Sequence, residues 1–259
     1  MKDSSNGRIK LYTMDCGIFY VSDMSALSEK GKFDGEKTTL ANPCFLIRHP
    51  KGDLLWETGH KETLADLPDG IKQGVWHSKL NTKLTKQLKK LDLKPLDIDY
   101  LSLSHIHPDH SGNANLFAKS TFIINEQERL YMFENNTKTM FGKFYMALEG
   151  ADTITFRDKY DVFGDDSVVT LSMPGHTPGG SVLLVRLENS ENILLTGDLY
   201  IHRRGRKLQT LHKYNTDQQA IKTSRKKFET LVVKEKARVI IHHDKQDFDS
   251  LPKFPKFLD

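Results

Sequence analysis

Short apolar runs recur along the chain, several alternating with polar residues and most bounded by Gly, Pro, Asn or Asp. Period-two runs of this length read as strands and the breaks as turns. They predict strands over 9–14, 45–49, 54–57, 100–104, 121–124, 168–172, 182–187, 193–196 and 239–241, with Lys51-Gly52-Asp53 as a tight turn between the second and third. Helical spacing appears in between. Leu80, Leu84, Leu88 and Leu91 form one apolar stripe with lysines opposite. Ile221, Phe228, Leu231 and Val232 form another, in a long helix that begins near Thr216 and is capped by Thr216 or Asp217. A shorter helix is predicted over 126–133. Hairpins mixed with helix-linked strands imply an α/β protein of layered sheets, not a simple wound parallel sheet. Two stretches fit poorly: 21–39, rich in Ser, Gly and Lys, and 135–148, which holds Met140, Phe141, Phe144, Tyr145 and Met146. Each reads either as plain surface structure or as a lid over a site.

The length of 259 residues suits one large domain or two small ones, and 37% hydrophobic with 28% charged residues is a globular composition. No run approaches the ~20 apolar residues that span a bilayer. The start, Met1-Lys2-Asp3-Ser4-Ser5-Asn6-Gly7-Arg8, is polar and lacks the apolar stretch of a signal peptide. Taken as it stands it implies a cytoplasmic protein; removal of a leader would make it periplasmic or secreted. Cys16 and Cys44 have no zinc-type neighbour and read as buried free thiols on two strands, since a disulfide would require an oxidising compartment. A net charge of +4 is compatible with a nucleic-acid partner without demanding one. The basic runs His202-Arg203-Arg204-Gly205-Arg206-Lys207 and Arg225-Lys226-Lys227 read as solvated surface.

The chemistry concentrates in Ser104-His105-Ile106-His107-Pro108-Asp109-His110, directly after the run 100–104. On an extended segment His105 and His107 point the same way and can grip one metal. Pro108 turns the chain, so that Asp109 and His110 can reach a second. Burying several imidazoles beside a carboxylate is costly unless a cation compensates them. Further ligand candidates also sit just past apolar strands: His176 in Met173-Pro174-Gly175-His176-Thr177-Pro178-Gly179-Gly180, Asp198 in Thr196-Gly197-Asp198, and His242-His243-Asp244.

Taken together and in this order, these motifs resemble the metallo-β-lactamase superfamily. The resemblance covers most of the chain. It implies a single domain, 1–259, folded as a four-layer αββα sandwich with two divalent metals at one edge of the sheets. Carried over residue by residue, His105, His107 and His176 would hold the first metal, Asp109, His110 and His243 the second, and Asp198 would bridge them. His243 is preferred to its neighbour His242 because His-Asp is the family pairing. The family's usual Asp-Thr-Gly is here Glu57-Thr58-Gly59, so Glu57 would take the supporting role with a longer arm.

Within the superfamily, Asp198-Leu199-Tyr200, the long late helix and the hairpin Asn42-Pro43-Cys44-Phe45-Leu46-Ile47-Arg48-His49 to Gly52-Asp53-Leu54-Leu55-Trp56 resemble the N-acyl homoserine lactonases. The implied activity is opening of the lactone ring by a hydroxide held between the metals, with Asp198, Tyr200 and Asp109 as catalytic side chains. Tyr200 would donate a hydrogen bond to the carbonyl oxygen. Phe141, Phe144 and Tyr145 would receive the acyl chain. Zinc suits these ligands, as do iron, manganese and cobalt. The implied partner is a small acylated lactone, with no membrane; a homodimer is a general prior. The alternatives are a methyl-parathion-hydrolase-like phosphotriesterase, a general esterase or lactonase, and a nucleic-acid-processing metallohydrolase.

Overall fold

Apolar residues crowd the two longest strands, β1 (Lys10–Val21) and β2 (Thr38–His49), which pair antiparallel from Lys10 with Arg48 to Val21 with Thr38. Both outrun the alternation that predicted them. The pattern breaks at Gly17 and at Asn42-Pro43, whereas the ladder continues past a register irregularity between Asp15 and Ile18. The computed structural model describes residues 7–29 and 31–259; residues 1–6 of the polar start, and Lys30 within the stretch 21–39, lie outside the described residues.

With β3 (Gly52–Trp56), β4 (Ile71–Gln73), β5 (Trp76–Lys79), β6 (Tyr100–Ser102), β7 (Thr121–Asn125) and β8 (Thr153–Phe156), these strands form one sheet in the order β4-β5-β1-β2-β3-β6-β7-β8. The second sheet runs β13-β12-β11-β10-β9, from β9 (Lys159–Asp161), β10 (Val168–Ser172), β11 (Ser181–Val185), β12 (Ile193–Leu195) and β13 (Arg238–Ile240). A last strand, β14 (Phe257–Leu258), pairs with the start of β1. The short strands β4, β5, β8, β9 and β14 lack a strong apolar alternation and were not anticipated.

Three buried clusters separate four layers. Phe45, Ile47, Leu54 and Trp56 of the first sheet meet Leu183, Val185, Leu195 and Ile240 of the second. The other face of the first sheet, with Met14, Leu46, Leu55, Leu101 and Phe122, is covered by α1 (Leu84–Lys89) and by residues 114–148. The other face of the second sheet, with Val182, Leu184 and Leu194, is covered by Ile221 and Phe228 of a long helix. Alternate residues of β2 and β11 therefore enter opposite cores, and both strands read as continuous apolar runs. This is the expected αββα sandwich.

The remaining helices are α2 (Pro108–Ser111), α3 (Glu126–Phe133), α4 (Asn135–Phe141), α5 (Arg203–Leu208), α6 (Gln218–Glu235) and α7 (Lys245–Ser250). Of the two caps the sequence offered, Asp217 is the one used, accepting from the backbone N–H groups of Gln219 and Ala220 at the start of α6. Burying Ile221 and Phe228 against the sheet contributes about 1.5–3 kcal/mol each. The leucine stripe is only partly helical: Lys83 has a non-helical backbone, so α1 starts at Leu84 and leaves the buried Leu80 outside it.

The cysteines are not free. Cys16 and Cys44 form a disulfide between β1 and β2, because the irregularity after Asp15 brings Cys16 alongside Cys44 in the same core cluster. That alignment is invisible before the register is known. The described residues of the stretch 21–39 are packed structure between β1 and β2, with Met24, Leu27 and Phe33 clustered against Leu40 and Ile201, and Leu27 also borders the cavity at the candidate site. Among the described residues, no helix is long and apolar enough to cross a membrane.

Candidate metal centre

Every candidate ligand lies just beyond the C-terminal end of a strand, at the same edge of the two sheets. After β6 the chain bends at Ser104 and runs through His105 to His107, whose backbone is extended, then Pro108 opens the single turn α2 and carries Asp109 and His110 round. Ser111 Oγ fastens this turn by donating to the carbonyls of Ile106 and His107. After β12, Gly197 adopts φ +49°, and a Cβ there would lie 2.6 Å from Ser104 Cβ, so only glycine brings Asp198 this close to the histidine loop.

The geometry resolves into two sets. His105 Nε2 and His176 Nε2 each lie 2.9 Å from His107 Nδ1, and Asp198 Oδ2 lies 3.2 Å from His176 Nε2. On the other side, Asp198 Oδ1 is 3.2 Å from His110 Nε2 and 3.1 Å from His243 Nε2, and Asp109 Oδ2 is 3.5 Å from His243 Nε2. One carboxylate thus turns one oxygen to each set, which is the arrangement of a bridging ligand. Two nitrogens bound to one tetrahedral zinc stand about 3.4 Å apart, and the spacings found are close to that. His110 Nε2 and Asp198 Oδ1 are buried and satisfy no hydrogen-bond geometry, as expected of atoms aimed at a shared cation.

The outward nitrogens orient the rings. His105 Nδ1 meets Ser104 Oγ at 2.9 Å, His176 Nδ1 meets Asn215 Oδ1 at 3.3 Å, and His243 Nδ1 meets the Ala41 carbonyl at 2.8 Å. Each contact leaves Nε2 facing the centre. Glu57, fully buried with φ +68°, accepts from Ser104 N at 3.1 Å and lies 3.3 Å from His110 Nδ1, so the longer arm does reach. Glu128 ties the two ligand loops together by accepting from Ile106 N and Gly179 N; burial, opposed by those bonds, pushes its carboxyl up to about 7. His242 Nε2 faces Asn42 Oδ1 at 3.2 Å and its ring stacks on His110, but its Nδ1 is buried without a partner, and one nitrogen each of His110, His242 and His243 lie within 4.8 Å of one another, so His242 also stands within reach of an ion at the second set. The next residue, His243, is the one directed at Asp198.

Electrostatics differ between the sets. Burial depresses His105 and His176 well below the ordinary imidazole value, and His107 below it. Burial would do the same to His110 and His243, but the carboxylates of Asp198, Glu57 and Asp109 around His110, and of Asp198 and Asp109 around His243, overcome it and raise both. Asp198 is itself buried, yet the surrounding imidazoles, His243 and His110 foremost, hold it well below the usual carboxylate range. The first set is thus ready to bind a cation without losing protons, and the second must exchange protons for one. The residues fit a pair of divalent ions.

The centre opens onto a cavity of about 750 Å³ bordered by Phe19, Leu64, Trp76, Phe141 and Phe144. Comparison with known proteins places this architecture. Residues 38–241 match the family model described as the metallo-beta-lactamase superfamily. The chain belongs to that superfamily. It is 29% identical to a protein of Azorhizobium caulinodans named N-acyl homoserine lactonase AttM, over 97% of this chain and 99% of that one. It is 26% identical to the N-acyl homoserine lactonase AiiA of Bacillus thuringiensis subsp. kurstaki, over 96% and 98%. A solved N-acyl homoserine lactone hydrolase with the product N-hexanoyl-L-homoserine at its catalytic metal centre superposes with a TM-score of 0.80 at 24% identity, covering 96% of this chain and 98% of that one.

Three expectations for this superfamily member need correction. Tyr200 does not enter the site: its side chain is fully buried on the α6 side, where its hydroxyl meets Glu229 Oε1 at 2.9 Å and Arg225 lies over its ring. Tyr145 is likewise core, its hydroxyl donating to the Met132 carbonyl, so only Phe141 and Phe144 of the three proposed acyl contacts reach the cavity. The basic runs are exposed surface at Arg203, Arg204, Lys207, Lys226 and Lys227, and the expectation fails at the buried His202 and Arg225. Arg203 pairs with Asp244 and Asp247, Arg204 with Glu36 and Arg206 with Glu229, while Arg225 is buried against the Leu199 and Thr210 carbonyls. Two cavity histidines had gone unassigned, His60 and His212. His60 was visible beside Glu57-Thr58-Gly59; nothing in the sequence around His212 marked it.

Proposed function

We propose that the chain hydrolyses the lactone ring of N-acyl homoserine lactones, using two divalent ions, zinc by preference, held by the two sets that share Asp198. The observation that carries this reading is the bridging position of Asp198 at a cavity whose other walls are largely apolar. Relatives named N-acyl homoserine lactonase that align along nearly the whole chain support it. His-rich ligand sets of this kind favour zinc.

Bound in these sets, the ions supply Lewis acidity toward the ester carbonyl and lower the pKa of water towards ~7, so that it can attack. The chain does the rest. His105, His107 and His176 fix one set and Asp109, His110 and His243 the other. Asp198 stays ionised in its bridging position, and Asp109, which borders the cavity and meets the second set through Oδ2, receives the proton of the attacking water and delivers it to the ring oxygen as the acyl C–O bond breaks. Phe141, Phe144 and Trp76 exclude water and receive the acyl chain. One water is consumed, and the carboxylic acid formed releases one proton at neutral pH. For the compartment, the Cys16–Cys44 link supports an oxidising one.

The test is proton release from a long-chain N-acyl homoserine lactone, followed with a pH indicator using enzyme assayed to contain two ions. Fast release abolished by a chelator is expected. An inert, fully loaded enzyme would remove the lactonase reading and turn attention to phosphotriesters and other esters.

A further inference from the structure

With Tyr200 withdrawn, the cavity needs another donor for the carbonyl oxygen, on which negative charge develops as water adds. The following residue, Ile201, is the one that borders the cavity, and its side chain has no polar atom to offer. His212 does. It borders the same cavity as His107, His176 and Asp198, and its ring centroid lies 5.1 Å from that of His176. Only 2% of it is exposed, and neither ring nitrogen has a hydrogen-bond partner. A buried imidazole with both nitrogens unsatisfied is a disfavoured arrangement, which a ligand at the site would relieve.

Its backbone is firmly held. Gln209, in the left-handed region, ends α5 and turns the chain back toward the site. Asn215 N and Gln218 Nε2 donate to the His212 carbonyl, and Thr216 N donates to that of His176. Asn215 also orients His176, so one short segment places both rings.

We propose that His212 is a catalytic residue that donates an N–H hydrogen bond to the substrate's carbonyl oxygen, beside His105, His107 and His176. This rests on the lactonase reading. It does not require a particular protonation state, because an imidazole carries at least one N–H in either form. Tyr214 also borders the cavity, but it is 44% exposed at the rim. His60 packs against Phe19, whose ring also contacts His243, and so belongs to the other set's side.

The experiment compares the wild type with His212→Ala, His212→Gln, Tyr200→Phe and Tyr214→Phe, all loaded with zinc. The readouts are metal content, lactone hydrolysis and calorimetric affinity for the ring-opened product N-hexanoyl homoserine. His212→Ala should lose about 10²–10³-fold in kcat, as removal of an oxyanion donor does. Its affinity for the product carboxylate should fall about tenfold, with both ions retained. His212→Gln keeps an N–H donor and should recover part of both losses; it also serves if His212→Ala does not fold. An active wild type with His212→Ala within threefold of it overturns the proposal, as does a loss carried instead by Tyr200→Phe or Tyr214→Phe. Loss of metal from both His212 variants makes the residue a structural support and also overturns it. An inert, fully loaded wild type is a different result: it removes the lactonase reading itself, and this inference with it.

Discussion

Glu57 offers the sharpest test of how the second ligand set is held. Its carboxylate is fully buried, accepts from Ser104 N at 3.1 Å and stands 3.3 Å from His110 Nδ1. Glu57→Ala removes both contacts. The Ser104 N–H is then left without a partner at a site water does not reach, which costs about 1–3 kcal/mol. For a chain of this size, about 2 kcal/mol corresponds to a fall in Tm of about 4–8 °C. His110 also loses the charged one of the two oxygens that face its Nδ1, keeping only Ser104 Oγ at 3.4 Å, and loss of such a supporting carboxylate lowers metal affinity about 10–100-fold. Glu57→Gln keeps an oxygen for Ser104 N but not the charge beside His110. It should therefore lose most of the metal affinity and little of the stability of the metal-free chain. Thermal unfolding of the metal-free proteins and competition for zinc against a chromophoric chelator separate the two effects. If Glu57→Ala binds both ions within threefold of the wild type, the reasoning that Glu57 supports the second set is wrong.

Metal loading should be strongly pH-dependent at one set only. His110 is raised well above the ordinary imidazole value and His243 is raised, by the carboxylates around them, so their set must release more protons to bind and its affinity should climb as pH rises. His105, His107 and His176 are lowered and already neutral, so their set should load with little proton exchange. Zinc calorimetry in buffers of different ionisation enthalpy should show two steps, and equal proton release in both would refute the assignment. Phe141→Ala and Phe144→Ala should raise KM up to about tenfold for long acyl chains, from the lost apolar contact, and far less for short ones; equal effects would show that the chain binds elsewhere. The protein denatured without reductant should titrate as free of thiols, because Cys16 and Cys44 are joined; two reactive thiols would remove the disulfide and the support it lends to an oxidising compartment.

The cluster of candidate ligands was legible because its members are carried by local rules. The segment beyond β6 aims His105 and His107 alike, a proline opens the turn bearing Asp109 and His110, and each remaining candidate sits three or four residues past an apolar strand. The apolar runs and the long α6 stripe likewise announced a layered α/β sandwich, since burial on both faces is written in composition and spacing. The short strands β4, β5, β8, β9 and β14 left no such mark; they form because longer neighbours offer them hydrogen bonds. Register was equally hidden, and it decided that Cys16 meets Cys44.

Side-chain direction near the site was decided by the tertiary structure. Tyr200 follows Asp198 closely, and sequence proximity pointed it at the substrate. The backbone beyond Gly197 turns it instead onto Glu229 of α6, a partner 29 residues away that fixes the hydroxyl by a partly buried hydrogen bond. Tyr145 was lost to the core in the same way, held by the Met132 carbonyl. His212 came to the centre because the segment after α5 is stitched to the His176 loop, a contact between residues far apart in the chain. Ligand types and their order follow from local sequence. Which neighbouring groups complete the site depends on long-range packing, which places side chains by contacts that no local pattern records.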